Sequence, residues 1–149
     1  RQPPEPLDGP TQKAVEAFWQ WIEQHRIEPV AIERRVMSRD LMYAGMCDFF
    51  GLIDGVPSVL DFKTGKEVYD EAWWQTSGYE LALSEEGVSR GPVNRWIVHL
   101  NKETGECVTH CRLARSDDWL QDRGVWMSLV RLDQALRAAR KHSQPKKAA

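Results

Sequence analysis

The chain has 149 residues, 42% hydrophobic and 28% charged, enough for one domain with its own core. A formal net charge of −2 excludes a uniformly basic protein that coats nucleic acid by charge alone, and no apolar run nears the length of a membrane span. Three cysteines, Cys47, Cys107 and Cys111, are odd in number and lack framework spacing, which excludes a disulfide-stapled secreted domain.

Residues 1–10 are rich in proline and polar groups and predict an irregular lead-in. Thr11 is suited to cap a helix from about Gln12 to His25. Val15, Phe18, Trp19 and Ile22 recur there at the spacing of one buried face, which leaves Trp21 exposed. Pro29 closes that region. Val30–Met37 then alternates, with Val30, Ile32, Arg34 and Val36 on one face, and predicts a first strand. Ser38-Arg39-Asp40 turns the chain into Tyr43–Lys66, where two apolar runs flank Asp54-Gly55. That dipeptide is a strong signal for a two-residue hairpin, because a type I′ turn needs positive φ at both central positions. A helix follows over about Tyr69–Leu83, with Asp70 and Glu71 in its first turn. Gly78 inside it costs about 1 kcal/mol relative to alanine, so a close approach is expected there.

Val93–Leu100 and Glu106–Leu113 predict two further strands around a glycine-containing loop. Ser116 is suited to cap a last helix from Asp117 to about Arg140, with an apolar stripe of Trp119, Leu120, Val125, Trp126, Leu129, Leu132 and Leu136. The tail from Lys141 is basic and is expected to fray. Helix, three strands, helix, two strands, helix is the order of an α/β or α+β layer protein with a central mixed sheet.

The hairpin carries a charge problem. If Asp54-Gly55 is the turn, Ile53 pairs with Val56, Phe50 with Val59 and Asp48 with Asp61. Directly opposed residues share a face, and like charges there are destabilising. Lys63, two beyond Asp61, lies on the same face. A cation, a shared proton or Lys63 itself would relieve the repulsion, and a solvated surface trio is the bland alternative. The aspartates interrupt runs that otherwise read as buried, which favours a hard cation such as Mg²⁺. A bulge near Gly51 would shift the pairing by one and separate the carboxylates. Cys107 and Cys111 frame His110, but a zinc or cluster site would need a further ligand pair, so they read as strand residues.

The ordered set Glu33, Gly45-Met46-Cys47-Asp48, Asp61-Phe62-Lys63-Thr64-Gly65-Lys66 and Gln75-Thr76-Ser77-Gly78-Tyr79 resembles the PD-(D/E)xK nuclease superfamily, most closely its RecB-like and Cas4-like exonuclease branch. The likeness covers about residues 12–115. It implies a restriction-endonuclease-like core in a single domain. It also implies Mg²⁺ or Mn²⁺ held by Asp48, Asp61 and the Phe62 backbone carbonyl, with Glu33 a less secure ligand. Lys63 would orient or deprotonate the attacking water, and Gln75 would lie near it. The cysteines of the iron–sulfur subset do not match, so no iron–sulfur cluster is expected. Family members often carry a further upstream helix; its absence and a first residue Arg1 lead us to expect an N-terminally incomplete domain.

The implied activity is metal-dependent hydrolysis of DNA phosphodiesters. The expected setting is exonucleolytic recombination or repair in the cytoplasm of a bacterium or phage-infected cell. The alternative is a nuclease-fold nucleic-acid-binding domain with a structural role. DNA is the implied partner, together with a recombination protein or further copies of the chain, and no membrane. Among seven tryptophans, Trp19, Trp119 and Trp126 read as core, and Trp74 as a base-stacking candidate. Tyr79 is expected to pack or touch DNA. Arg34, Arg35 and Arg39 are candidate phosphate contacts, with a solvated basic face about equally plausible.

Overall fold

The structure, a computed structural model, describes residues 8–143; the terminal segments 1–7 and 144–149, with most of the expected lead-in and tail, lie outside the described residues. Helix α1 (Gly9–Glu23) precedes strands β1 (Ile27–Ser38), β2 (Tyr43–Ile53) and β3 (Val56–Lys63). Helix α2 (Asp70–Glu85), strands β4 (Asn94–Leu100) and β5 (Cys107–Arg112) and helix α3 (Asp117–Ser143) complete the order. The five strands form one mixed sheet in the order β1-β2-β3-β4-β5. β3 and β4 are parallel and joined through α2, while the other neighbours are antiparallel. This is an α/β architecture with a mixed sheet flanked by three helices.

Two apolar clusters lie on the two faces of the sheet. Phe18 and Trp21 of α1 pack on Phe49, Ile53, Leu60 and Val98. Tyr79, Ala82 and Leu83 of α2 pack on Val36, Cys47, Phe50 and Val59. Successive strand residues point to opposite faces, so Leu60 and Phe62 go to α1 while Val59, Asp61 and Lys63 go to α2.

The hairpin matches its sequence signal. Asp54 (φ 53°) and Gly55 (φ 79°) both have positive φ, and the ladder runs from Ile53↔Val56 to Phe49↔Leu60 without a shift. The irregularity near Gly51 lies in the neighbouring strand, where the register of β1 on β2 shifts between Pro29 and Ala31. Pro29 therefore does not end the region but belongs to β1, an edge strand that tolerates both a proline and a bulge. The expected alternation fails: Val30 falls at the bulge and is exposed, and Ile32 is exposed while Val36 is buried, with Glu33 at positive φ between them.

Two helices differ from expectation. Asp8, not Thr11, caps α1: its Oδ1 accepts the Thr11 N–H at 2.8 Å, and Pro10 occupies the first turn, where no N–H is needed. The buried stripe is Ala14, Phe18 and Trp21, so Trp19 faces solvent and Trp21 packs inward, reversing the sequence reading. Both stripes have helical spacing, and only the facing Trp96 and Phe62 decide between them. In α3, Trp119 is buried, but Leu120, Leu129, Leu132 and Leu136 are exposed. At about 1.5 Å per residue, 27 residues reach about 40 Å against about 24 Å for the 16 of α2, so α3 outruns the helix it packs on. Among the described residues no helix is long and apolar enough to cross a membrane.

Candidate active site

Beyond Phe49↔Leu60 the next pair would be Asp48 and Asp61, and there the ladder stops. Asp48 Oδ2 instead accepts the Phe62 N–H at 2.8 Å, so the carboxylate occupies the gap between β2 and β3. A strand residue sends its N–H and C=O to the same neighbour, so the Phe62 carbonyl faces that gap as well.

The ladder ends because β2 changes face. Cys47 and Phe50 both belong to the α2-side cluster and Phe49 to the α1-side cluster, although strict alternation would put Cys47 with Phe49. β1 departs at the facing position. Glu33, between the pairs Ile32↔Phe49 and Arg34↔Cys47, has φ 47°. A non-glycine residue held there costs on the order of 1–3 kcal/mol.

Asp61 is 2% exposed. Lys63 Nζ lies 2.6 Å from its Oδ2, yet this oxygen accepts no hydrogen bond of good geometry among the described residues. Burial pushes the Asp61 carboxyl above the ordinary aspartate range; Lys63 pulls it down, and the nearby Asp48 charge pushes it up. Lys63 Nζ also donates to Gln75 Oε1 at 2.9 Å, so α2 holds the lysine over the acid. Tyr79, one turn beyond Gln75, packs its ring on Gly45. A Cβ at Gly45 would lie 3.0 Å from Tyr79 Cε1, so the glycine keeps space for the ring. Burial first, then Asp61, Asp48 and Cys47, raise the Tyr79 hydroxyl well above its usual range.

Outside Lys63 and Gln75 lies a groove of about 730 Å³, lined further by Gly65, Glu67, Tyr69, Glu71, Ala72 and Trp126. His99 Nε2 donates to the Gly65 carbonyl at 2.7 Å and ties this wall to β4. Trp126 reaches the groove because Gly78 has no side chain: a Cβ there would lie 2.5 Å from Trp126 Cζ2. The close approach expected at Gly78 is thus a tryptophan from α3. Tyr43 braces both, donating to the Gly78 carbonyl at 2.7 Å and meeting Trp126 edge to face at 5.1 Å.

Asp48, Asp61, Phe62, Lys63 and Gln75 are therefore brought together, and Tyr79 closes the inner side as packing. Glu33 is exposed, and among the described residues no three acids, histidines or cysteines gather to hold a metal by themselves. The oxygens able to hold a cation are those of Asp48, Asp61 and the Phe62 carbonyl. Mg²⁺ takes one or two carboxylates and keeps several waters, so this donor set fits it; the buried Asp61 Oδ2 has the Lys63 ammonium beside it but no well-made hydrogen bond among the described residues.

Other sequence candidates lie apart. Arg34 Nη2 pairs with Glu86 Oε2 at 2.8 Å, and Arg35 and Arg39 border a separate hollow with Glu85 and Glu86. That end of α2 is about 15 Å from Gln75 at 1.5 Å per residue. Trp73 is buried under Arg112, and Trp74 is half-buried and does not line the groove. Sequence reasoning missed Tyr69, His99 and the groove-facing role of Trp126, which it read as core. Gly78 was the one local signal, but it could not name its partner.

It also missed a buried charge network. Arg95, 0% exposed, donates to Glu80 Oε2 through Nε at 3.2 Å and Nη2 at 2.5 Å, and through Nη1 to the Trp119 carbonyl at 3.1 Å. Asp122 pairs with Arg112 and faces Arg95 Nη1 at 3.6 Å.

No protein-family model matches the chain, and no curated protein matches it.

Proposed function

We propose that this chain is a metal-dependent deoxyribonuclease with a restriction-endonuclease-like core, an exonuclease serving recombination or repair in a bacterial or phage-infected cytoplasm. The observation that carries the reading is the buried Asp61 carboxylate, which feels the nearby Asp48 charge and is ion-paired at 2.6 Å to Lys63, a residue of the groove wall. The contact of Gly45 with Tyr79 supports it, because it interlocks the two outlying parts of the sequence pattern.

Asp48, Asp61 and the Phe62 carbonyl would hold Mg²⁺ or Mn²⁺, and a bound ion would supply an activated water and neutralise charge on the phosphate. The chain's own residues do the rest. Gln75 fixes the lysine by accepting one of its three donors. Lys63 then holds or moves a proton of the attacking water and steadies the developing negative charge. The interior around Asp61 excludes bulk water, which strengthens every charge interaction there.

A second reading, a nucleic-acid-binding domain that cuts poorly, is favoured by one observation: Glu33 does not join the two aspartates. Incubation with linear and circular, single- and double-stranded DNA in Mg²⁺ or Mn²⁺ separates the two. Linear DNA is expected to be degraded by the wild type and not by Asp61→Ala, with Lys63→Ala slower by roughly 10²–10³-fold. Binding without metal-dependent degradation above the Asp61→Ala control would leave only the second reading. Cleavage of circles would make the enzyme an endonuclease.

A further inference from the structure

We propose that Tyr69 and Trp126 form a base-stacking subsite beside Lys63 that takes an unpaired nucleotide, so that the substrate is a single-stranded end and not intact duplex. The proposal rests on the nuclease reading for its ligand being nucleic acid; the rest comes from the walls of the groove. Tyr69 is 60% exposed at the entry to α2, and Trp126 presents part of its ring from α3. The groove that both line, about 730 Å³, is large enough to admit a nucleotide.

Charge decides between single strand and duplex. Duplex DNA carries one negative charge per about 1.7 Å of axis, and a protein that grips it needs several cations along the path. The groove offers one, Lys63, while Glu67 and Glu71 line it as well. Arg34, Arg35 and Arg39 lie at the other end of α2, with Arg34 paired to Glu86. One phosphate at Lys63 with its base against aromatic walls satisfies this lining, whereas a double helix laid across it meets acids.

The geometry also explains two contacts that catalysis does not use. Gly78 sets Trp126 close to α2, and His99 holds the Gly65 wall in place. Both keep the slot open at a fixed width without touching the reacting groups.

The test is the anisotropy of a fluorescein-labelled short oligo-dT, and of a blunt duplex of similar length, in EDTA and in Ca²⁺. Wild type is expected to bind oligo-dT more tightly than duplex. The salt dependence should be shallow, with a slope of about −0.7 for the one phosphate held. Tyr69→Ala, a change at an exposed position, should weaken oligo-dT binding at least about fivefold and leave duplex binding unchanged. Trp126→Phe should retain most of the affinity and Trp126→Ala lose it, with circular dichroism verifying the fold.

Equal affinity for duplex and oligo-dT, no oligo-dT binding in either buffer, or a Tyr69→Ala variant that binds like wild type would each overturn the subsite. Its fate is separable from that of the nuclease reading. A Tyr69-dependent preference for oligo-dT without metal-dependent cleavage keeps the subsite and removes the nuclease. Cleavage that Tyr69→Ala leaves unaltered, with unaltered binding, does the reverse.

Discussion

Carboxylates gather at two places along α2. Towards its start Asp61 and Asp48 meet Lys63 and Gln75; farther along, Glu80 and Asp122 meet Arg95, Arg112 and Arg123. Both places hold a carboxylate oxygen without a well-made hydrogen bond, Asp61 Oδ2 and Asp122 Oδ2. The surroundings differ. Asp122 is flanked by two guanidiniums, Arg95 fully buried and Arg112 partly so, and the Trp119 ring lies 4.4 Å from the centre of Arg95. Asp61 has one ammonium, and that lysine side chain is 31% exposed at the groove. The closed cluster sets three arginines against two acids, and the open one sets two acids against one lysine. Surplus positive charge around the fully buried Arg95 leaves its acids already neutralised and holds elements together, here α3 to α2 and β4. Surplus acid at an opening is suited to a cation from outside.

The largest expected effect tests the closed cluster. Arg95→Met removes the guanidinium that serves both Glu80 and Asp122 and should destabilise the fold by about 3–5 kcal/mol, because buried acid is left unpaired. Denaturant unfolding measures this; a loss below 1 kcal/mol would mean that the cluster is dispensable and the contrast false. Next comes Gly78→Ala, which touches neither cluster. Its Cβ would meet Trp126 at 2.5 Å, and overpacking of that kind costs about 1–3 kcal/mol. Since it displaces the groove wall, the change should also weaken binding of single strands at temperatures where the variant is still folded.

The smallest stability effect has the opposite sign. Burial raises the Asp61 carboxyl, so the folded chain keeps that proton to higher pH than the unfolded chain, whose aspartate releases it near about 3.9. Across that window the unfolded state binds fewer protons, and stability falls as pH rises. Asp61→Asn should therefore raise the melting temperature at neutral pH, with the gain shrinking in acid, while abolishing cleavage. A variant that loses activity and also melts earlier at neutral pH would place Asp61 with Asp122 as a structural acid.

Much of the candidate site was legible because its determinants are local. Asp54-Gly55 dictates positive φ, the turn sets the register, and the period of two puts Asp61 and Lys63 on one face. The four-residue spacing of Gln75 and Tyr79 puts both on the helix face that meets the sheet. What failed failed for want of a partner. Periodicity allowed either Trp19 or Trp21 to turn inward. It could not foresee the bulge at Val30, nor that Glu33 would leave the regular strand so that Ile32 is exposed and Val36 buried.

The sequence by itself determined the hairpin, its register and the meeting of acid with lysine, since these follow from backbone sterics within a few residues of the turn. Only the tertiary structure decided that Trp126 walls the groove, that Arg95 locks α3 onto α2, and that the ladder opens at Asp48, whose carboxylate accepts the Phe62 N–H. Those outcomes depend on residues far apart in the chain competing for the same space and the same charge, which no local period encodes.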